Sequence, residues 1–121
     1  MVLSMELTRI DHVSLNVGDR PASVAWYQAV LGVRPHSPHE IAAEPIFLGP
    51  HGAQLGLFAD RSPGLRHIAL ATDASGQREL ATRLDGLAIP YRRQRHRDSD
   101  SIYFRDPDGI TLEVMVPTGQ W

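Results

Sequence analysis

The sequence predicts an α+β domain made of two copies of one unit, each a strand, a helix and three further strands. Three observations carry this. Residues 10–15 (IDHVSL) return as residues 65–70 (LRHIAL), which places His12 and His67 at equivalent points, an offset of 55 residues. Each copy of that strand is followed by a run with apolar residues at helical spacing. The chain closes on two alternating runs joined by Asp106-Pro107-Asp108-Gly109, a turn in which Pro107 presets φ and Gly109 tolerates a positive φ. A repeated unit of this size means two modules packed together.

Taken in order, residues 10–17 alternate, with His12, Ser14 and Asn16 on one face and Val13, Leu15 and Val17 on the other. Asp19 is the expected N-cap of a helix over 22–31, with Pro21 in its first turn and Gly32 ending it. Val24, Tyr27, Val30 and Leu31 are its expected sheet-facing residues. Residues 34–44, rich in Pro and His, read as a weak strand and a loop that leaves His36 and His39 at the surface. Strands over 45–48 and 54–58 flank Gly49-Pro50-His51-Gly52. After the linker Arg61-Ser62-Pro63-Gly64, the second module runs through a strand at 65–70, a helix at 77–87 facing inward with Leu80, Ala81, Leu84 and Leu87, and strands at 91–95, 101–105 and 110–116. The boundaries are one domain over 1–121, with module one at about 8–60 and module two at about 65–117.

The chain has 121 residues and a net charge of −2. That length buries roughly two thirds of the unfolded surface, enough for a core without staples. The charge supplies no bulk attraction to nucleic acid or to an acidic membrane. No apolar run approaches the roughly 20 residues needed to span a bilayer, and no leader is expected from the N-terminus. There is no cysteine, so disulfides and thiolate metal sites are excluded, in keeping with a cytoplasmic protein. Any metal falls to His, Asp or Glu.

The last strand points to the chemistry. Thr111, Glu113 and Met115 share one face, and Leu112, Val114 and Val116 the other. An unpaired buried carboxylate is costly, so Glu113 calls for a cation. Laying the modules over each other puts Glu113 on Gly56, which has no side chain. Two histidines and two last-strand positions would make four ligands; this chain supplies three and leaves the fourth place empty.

These residues resemble the vicinal oxygen chelate superfamily of glyoxalase I, bleomycin-resistance proteins, fosfomycin-resistance transferases and extradiol ring-cleavage dioxygenases. The resemblance runs from Ile10 to Val116. It is carried by the strand with His12, by Trp26-Tyr27 followed by Leu31-Gly32, by the strand with His67, and by Tyr103-Phe104-Arg105-Asp106-Pro107-Asp108-Gly109 leading to Glu113. It implies two βαβββ modules forming an open, cupped mixed sheet with the helices outside, and a divalent metal on His12, His67 and Glu113. Two histidines and one carboxylate suit iron(II), with manganese(II) or another divalent ion next. Glyoxalase I normally uses four protein ligands, against which Gly56 speaks.

Within the superfamily, His96, Ile102-Tyr103, Asp106-Pro107, Gly109 and Glu113 follow the extradiol pattern, and Gln94 departs from it. The resemblance therefore implies a dioxygenase opening a catechol-like diol, with His96 as acid/base and Tyr103 donating to a substrate oxygen. Gly56 is expected to leave room for the substrate, Phe58 and Met115 to wall it, and Arg93 to line its pocket. His51 is a weak match to a further acid/base histidine. Fosfomycin-resistance or glyoxalase-like transferase and lyase chemistry is one alternative; Arg93 and Arg97 fall near the lysine and serine places of the transferases. A bleomycin-resistance-type binder without catalysis is the other. The expected partners are a small aromatic diol and a second copy in a homodimer, with neither nucleic acid nor membrane.

Overall fold

A computed structural model describes residues 5–36, 45–50, 52–97 and 99–118; His39 and His51 lie outside the described residues. The elements are β1 (Arg9–Val17), α1 (Arg20–Leu31), β2 (Ile46–Leu48), β3 (Gln54–Ala59), β4 (Gly64–Ala71), α2 (Ala74–Gly86), β5 (Arg92–Arg95), β6 (Ser99–Arg105) and β7 (Thr111–Pro117). The seven strands form one mixed sheet in the order β2-β3-β1-β4-β7-β6-β5. By compactness the chain divides into a unit of residues 11–67 and a unit formed by the residues on either side of it.

In the unit of residues 11–67, β3 runs parallel to β1 and antiparallel to β2. Asp19 caps α1, its carboxylate accepting from the Ala22 N–H, and Gly32 closes it at φ 71°. Val24 and Tyr27 pack on Ile46, Leu48 and Leu57, joined by Leu15, Val17 and Val33. Val30 and Leu31 differ from expectation: they are 56% and 59% exposed. Val30 is six residues from Val24, which turns it well round the helix, and Leu31 sits in the last turn.

In the other unit β7 pairs in parallel with β4 and antiparallel with β6, and β5 forms the edge beside β6. The core joins Leu80, Ala81 and Leu84 of α2 to Ile102 and Val114, with Met5, Leu70, Ile89, Tyr91 and Phe104 around them. Helix α2 begins at Ala74, earlier than expected, because Asp73 caps it through the Gly76 N–H at 2.7 Å. Leu87 is not in that core. It is the C-cap and is 69% exposed, because the chain leaves the helix there.

The repeat is real at the level of register. Ser14 pairs with Gly56, and Ala69, its counterpart at the 55-residue offset, pairs with Glu113. On the next strand, Phe47 pairs with Gly56 and Tyr103 with Glu113.

Candidate metal centre

Strand alternation sets the side chains. On β1, Leu15 and Val17 face the α1 core, which leaves His12 and Ser14 on the opposite face. His12 is 7% exposed. Its Nδ1 lies 2.8 Å from Asp11 Oδ2, so Nδ1 carries the proton and Nε2 offers a lone pair, the orientation that metal-binding imidazoles need. His67, on β4, is equally buried. The Ser14 hydroxyl holds its Nε2 at 3.0 Å. The two imidazoles stand edge to face with centroids 5.6 Å apart, and Phe47 packs edge to face on His12 at 5.0 Å.

On β7, Val114 enters the α2 core and Glu113 points the other way, as its parity demands. Glu113 is 3% exposed. Ser101 on β6 donates to its Oε2 at 2.6 Å. His96, in the turn between β5 and β6, places Nε2 at 2.6 Å from the Tyr103 hydroxyl and 3.7 Å from Glu113 Oε2. Burial, and then the Glu113 carboxylate, push the Tyr103 phenol well above its ordinary pKa, with Arg92 opposing. Tyr103 therefore keeps its proton.

One donor atom each from His12, His67 and Glu113 lies within 4.8 Å of the others, and all three residues are buried. Ligand bonds to nitrogen and oxygen of roughly 2.1 Å put three donors on one ion about 3.0–3.4 Å apart, so these three would have to close up to hold a common ion. The donors also fit chemically: a buried carboxylate beside two imidazoles, one held in the ligating tautomer, gains from a divalent cation. This is a candidate metal site.

The other expected residues fall as follows. His96 and Tyr103 are brought together beside Glu113. Gly56 faces the same side as Ser14, but its space is not vacant: an added Cβ would stand 3.0 Å from Phe47 Cε1 and 3.1 Å from Ser14 Oγ. The Phe47 ring packs against this position. Phe58 lies 6.2 Å from His67 by centroid, with Arg66 stacked on its ring at 3.9 Å. Met115 is 1% exposed and buried against Ala69 and Ala71, so it is floor more than wall. Arg93 pairs with Ile102, a residue of the α2 core, and so sits on the far side from Tyr103. Arg92 pairs with Tyr103 and stacks on its ring at 4.2 Å. Asp11, Ser14 and Phe47 also belong to these surroundings; Asp11 precedes His12 in sequence and Ser14 shares its strand face, whereas Phe47 carries no local signal.

A family model described as the Glyoxalase/Bleomycin resistance protein/Dioxygenase superfamily matches residues 9–114. The chain is 27% identical over 126 residues to Glyoxylase I 4 of Arabidopsis thaliana, covering 91% of this chain and 71% of that protein. It is 29% identical over 122 residues to Biphenyl-2,3-diol 1,2-dioxygenase 3 of Rhodococcus globerulus, covering 89% of this chain and 63% of that protein, so it spans less than two thirds of that dioxygenase. Among solved structures, it resembles methylmalonyl-CoA epimerase from Mycobacterium tuberculosis, with a TM-score of 0.74 and 20% identity over 97% of this chain and 93% of that one. It also resembles a catechol 2,3-dioxygenase, with a TM-score of 0.78 and 20% identity over 96% of this chain and 41% of that one. These likenesses show a shared fold. No helix among the described residues is long and apolar enough to cross a membrane.

Proposed function

The chain belongs to the Glyoxalase/Bleomycin resistance protein/Dioxygenase superfamily, and on that premise we propose that it is a metal-dependent dioxygenase of the extradiol type, acting on a catechol-like vicinal diol. The observation that carries the reading is the convergence of His12, His67 and Glu113, with His96 and Tyr103 hydrogen-bonded to each other beside that same carboxylate. Iron(II) is the proposed ion, with manganese(II) second. Held by His12, His67 and Glu113, such an ion would supply Lewis acidity toward the diol. In the overall reaction a ring carbon–carbon bond next to the diol breaks and both atoms of O2 enter the product.

The chain's own residues do the rest. His96 is one-third exposed, which suits it to take a proton from a substrate hydroxyl and pass it to water. Tyr103, held protonated, donates a hydrogen bond to a substrate oxygen. Ser101 fixes Glu113, and Asp11 fixes His12. Phe47 packs beside Gly56, the position equivalent to Glu113. The reading includes a cytoplasmic enzyme and a homodimer, which sedimentation velocity tests directly.

A glyoxalase-like lyase is the second reading, supported by the likeness to Glyoxylase I 4 and weakened by Gly56 and Phe47. To separate them, protein purified without oxygen is loaded with iron(II), its metal content measured, and a set of catechols added under air. A yellow ring-opened product from at least one catechol is the expected result. Full metal loading with no product from any of them overturns the dioxygenase.

A further inference from the structure

We infer that the substrate carries an oxyanion, a carboxylate or a phosphate, which is seated between Arg92 and Arg105 in a pocket beside the metal site. The inference rests on the function proposed above. The pocket, about 510 Å³, is lined by Ile89, Pro90, Tyr91, Arg92, Tyr103, Phe104, Arg105 and Thr111. Register places its charged residues. Arg92 pairs with Tyr103 and Arg105 pairs with Thr111, so all four share the face that bears Glu113.

Neither guanidinium has a carboxylate partner among the described residues; Arg92 donates only to the Gln94 side chain, at 2.6 Å. Two of the acids close by in sequence are already engaged. Asp106 accepts from the Asp108 and Ile110 N–H groups at 2.9 Å each, and Asp85 accepts from the Tyr91 hydroxyl at 3.0 Å. Arginines along an edge strand often serve only to keep other strands away. That accounts for Arg93 and for Arg95, which is paired with Asp100. It does not account for Arg105, which comes from the inner strand β6 and converges with Arg92 on one concavity beside aromatic rings. A planar guanidinium fork is the side chain suited to bidentate carboxylate or phosphate recognition.

The spacing joins this pocket to the chemistry. Thr111 and Glu113 are two residues apart on β7, about 7 Å along the strand. One substituted benzene ring bridges that gap, with its diol toward Glu113 and its anion toward Arg105. The predicted class is an aromatic vicinal diol with an acidic side chain.

The test is calorimetric binding of phenylacetate, phenyl phosphate, catechol and 3,4-dihydroxyphenylacetate to full-length protein, with and without bound metal, compared across wild type, R92Q and R105Q. Phenylacetate and phenyl phosphate lack the diol, so they probe the pocket independently of the metal site. The expected result is that one of these two binds without metal, that R105Q and R92Q each weaken it roughly tenfold, and that dihydroxyphenylacetate binds metal-loaded protein more tightly than catechol. The anion that binds better identifies the group. Failure of both diol-free anionic probes in wild type overturns the inference, as does an unchanged affinity for the bound probe in both variants, even where catechol is cleaved. Anion binding that needs Arg92 and Arg105, with no cleavage of any catechol, keeps the pocket and removes the dioxygenase.

Discussion

Phe47 and Tyr103 occupy equivalent places in the two modules: one pairs with Gly56, the other with Glu113. The module that holds the carboxylate also holds the phenol. At the position that lacks a side chain, a phenyl ring stands close: a Cβ at Gly56 would lie 3.0 Å from Phe47 Cε1.

A substitution at Gly56 tests this relationship. An added Cβ meets the Phe47 ring at 3.0 Å, so G56A is expected to destabilise the fold by about 1–2 kcal/mol through overpacking. In an F47L background the same change should cost less. Urea denaturation of the two single variants and the double variant measures the coupling, and equal costs in both backgrounds would refute it. G56E in the wild-type background is not expected to yield a four-ligand site.

The groups that hold the proposed ligands should matter for metal affinity. S101A removes the 2.6 Å bond to Glu113 Oε2, and D11N changes the partner of His12 Nδ1. Each is expected to weaken iron(II) or manganese(II) binding by roughly 10–100-fold. Titration calorimetry checks this without reference to turnover. Stripping the metal with EDTA should lower the melting temperature of wild type, since an ion present at 100 times its Kd stabilises by about 2.7 kcal/mol. H12A should melt at the same temperature with or without EDTA.

Ala88 follows the end of α2 with φ 56°, and it is the non-glycine residue at positive φ among those described. That conformation costs an L-residue roughly 1–2 kcal/mol, and glycine is free of the clash. A88G is expected to raise stability by about 1 kcal/mol, after the extra chain entropy of glycine is subtracted. A fall in melting temperature would show that the Ala88 methyl group packs favourably.

The Arg95–Asp100 pair predicts a small acid-side effect. Asp100 titrates below its ordinary value of 3.8, chiefly because Arg95 hydrogen-bonds to its carboxylate. A lowered acid stabilises the fold above its unfolded value, and that stabilisation fades as pH drops through the folded value. R95A should return Asp100 upward in a carbon-detected NMR titration. No movement would mean that another group holds it.

Much of the site is written in local patterns. The alternation through 111–116 places Glu113 opposite Val114 and correctly puts Val114 in the α2 core. Asp19 and Gly32 mark the ends of α1 because capping is chemistry within a few residues. The start of α2 was hidden because Asp73-Ala74-Ser75-Gly76 carries turn residues that serve equally as a cap. Strand β5 reads Arg-Arg-Gln-Arg, a run without apolar alternation, so nothing local tells Arg92 from Arg93; only its pairing with β6 does. Phe47 was invisible as a site residue because its role depends on what its neighbour Gly56 lacks.

The shared register has a further consequence. Because Ser14 lies against Gly56 as Ala69 lies against Glu113, the polypeptide contains its own blank. One closing strand carries a carboxylate, and the other shows how the same pairing looks with no side chain there and Phe47 packed beside it. Exchanging Phe47 and Gly56 for tyrosine and glutamate asks whether the erased arm can be rewritten.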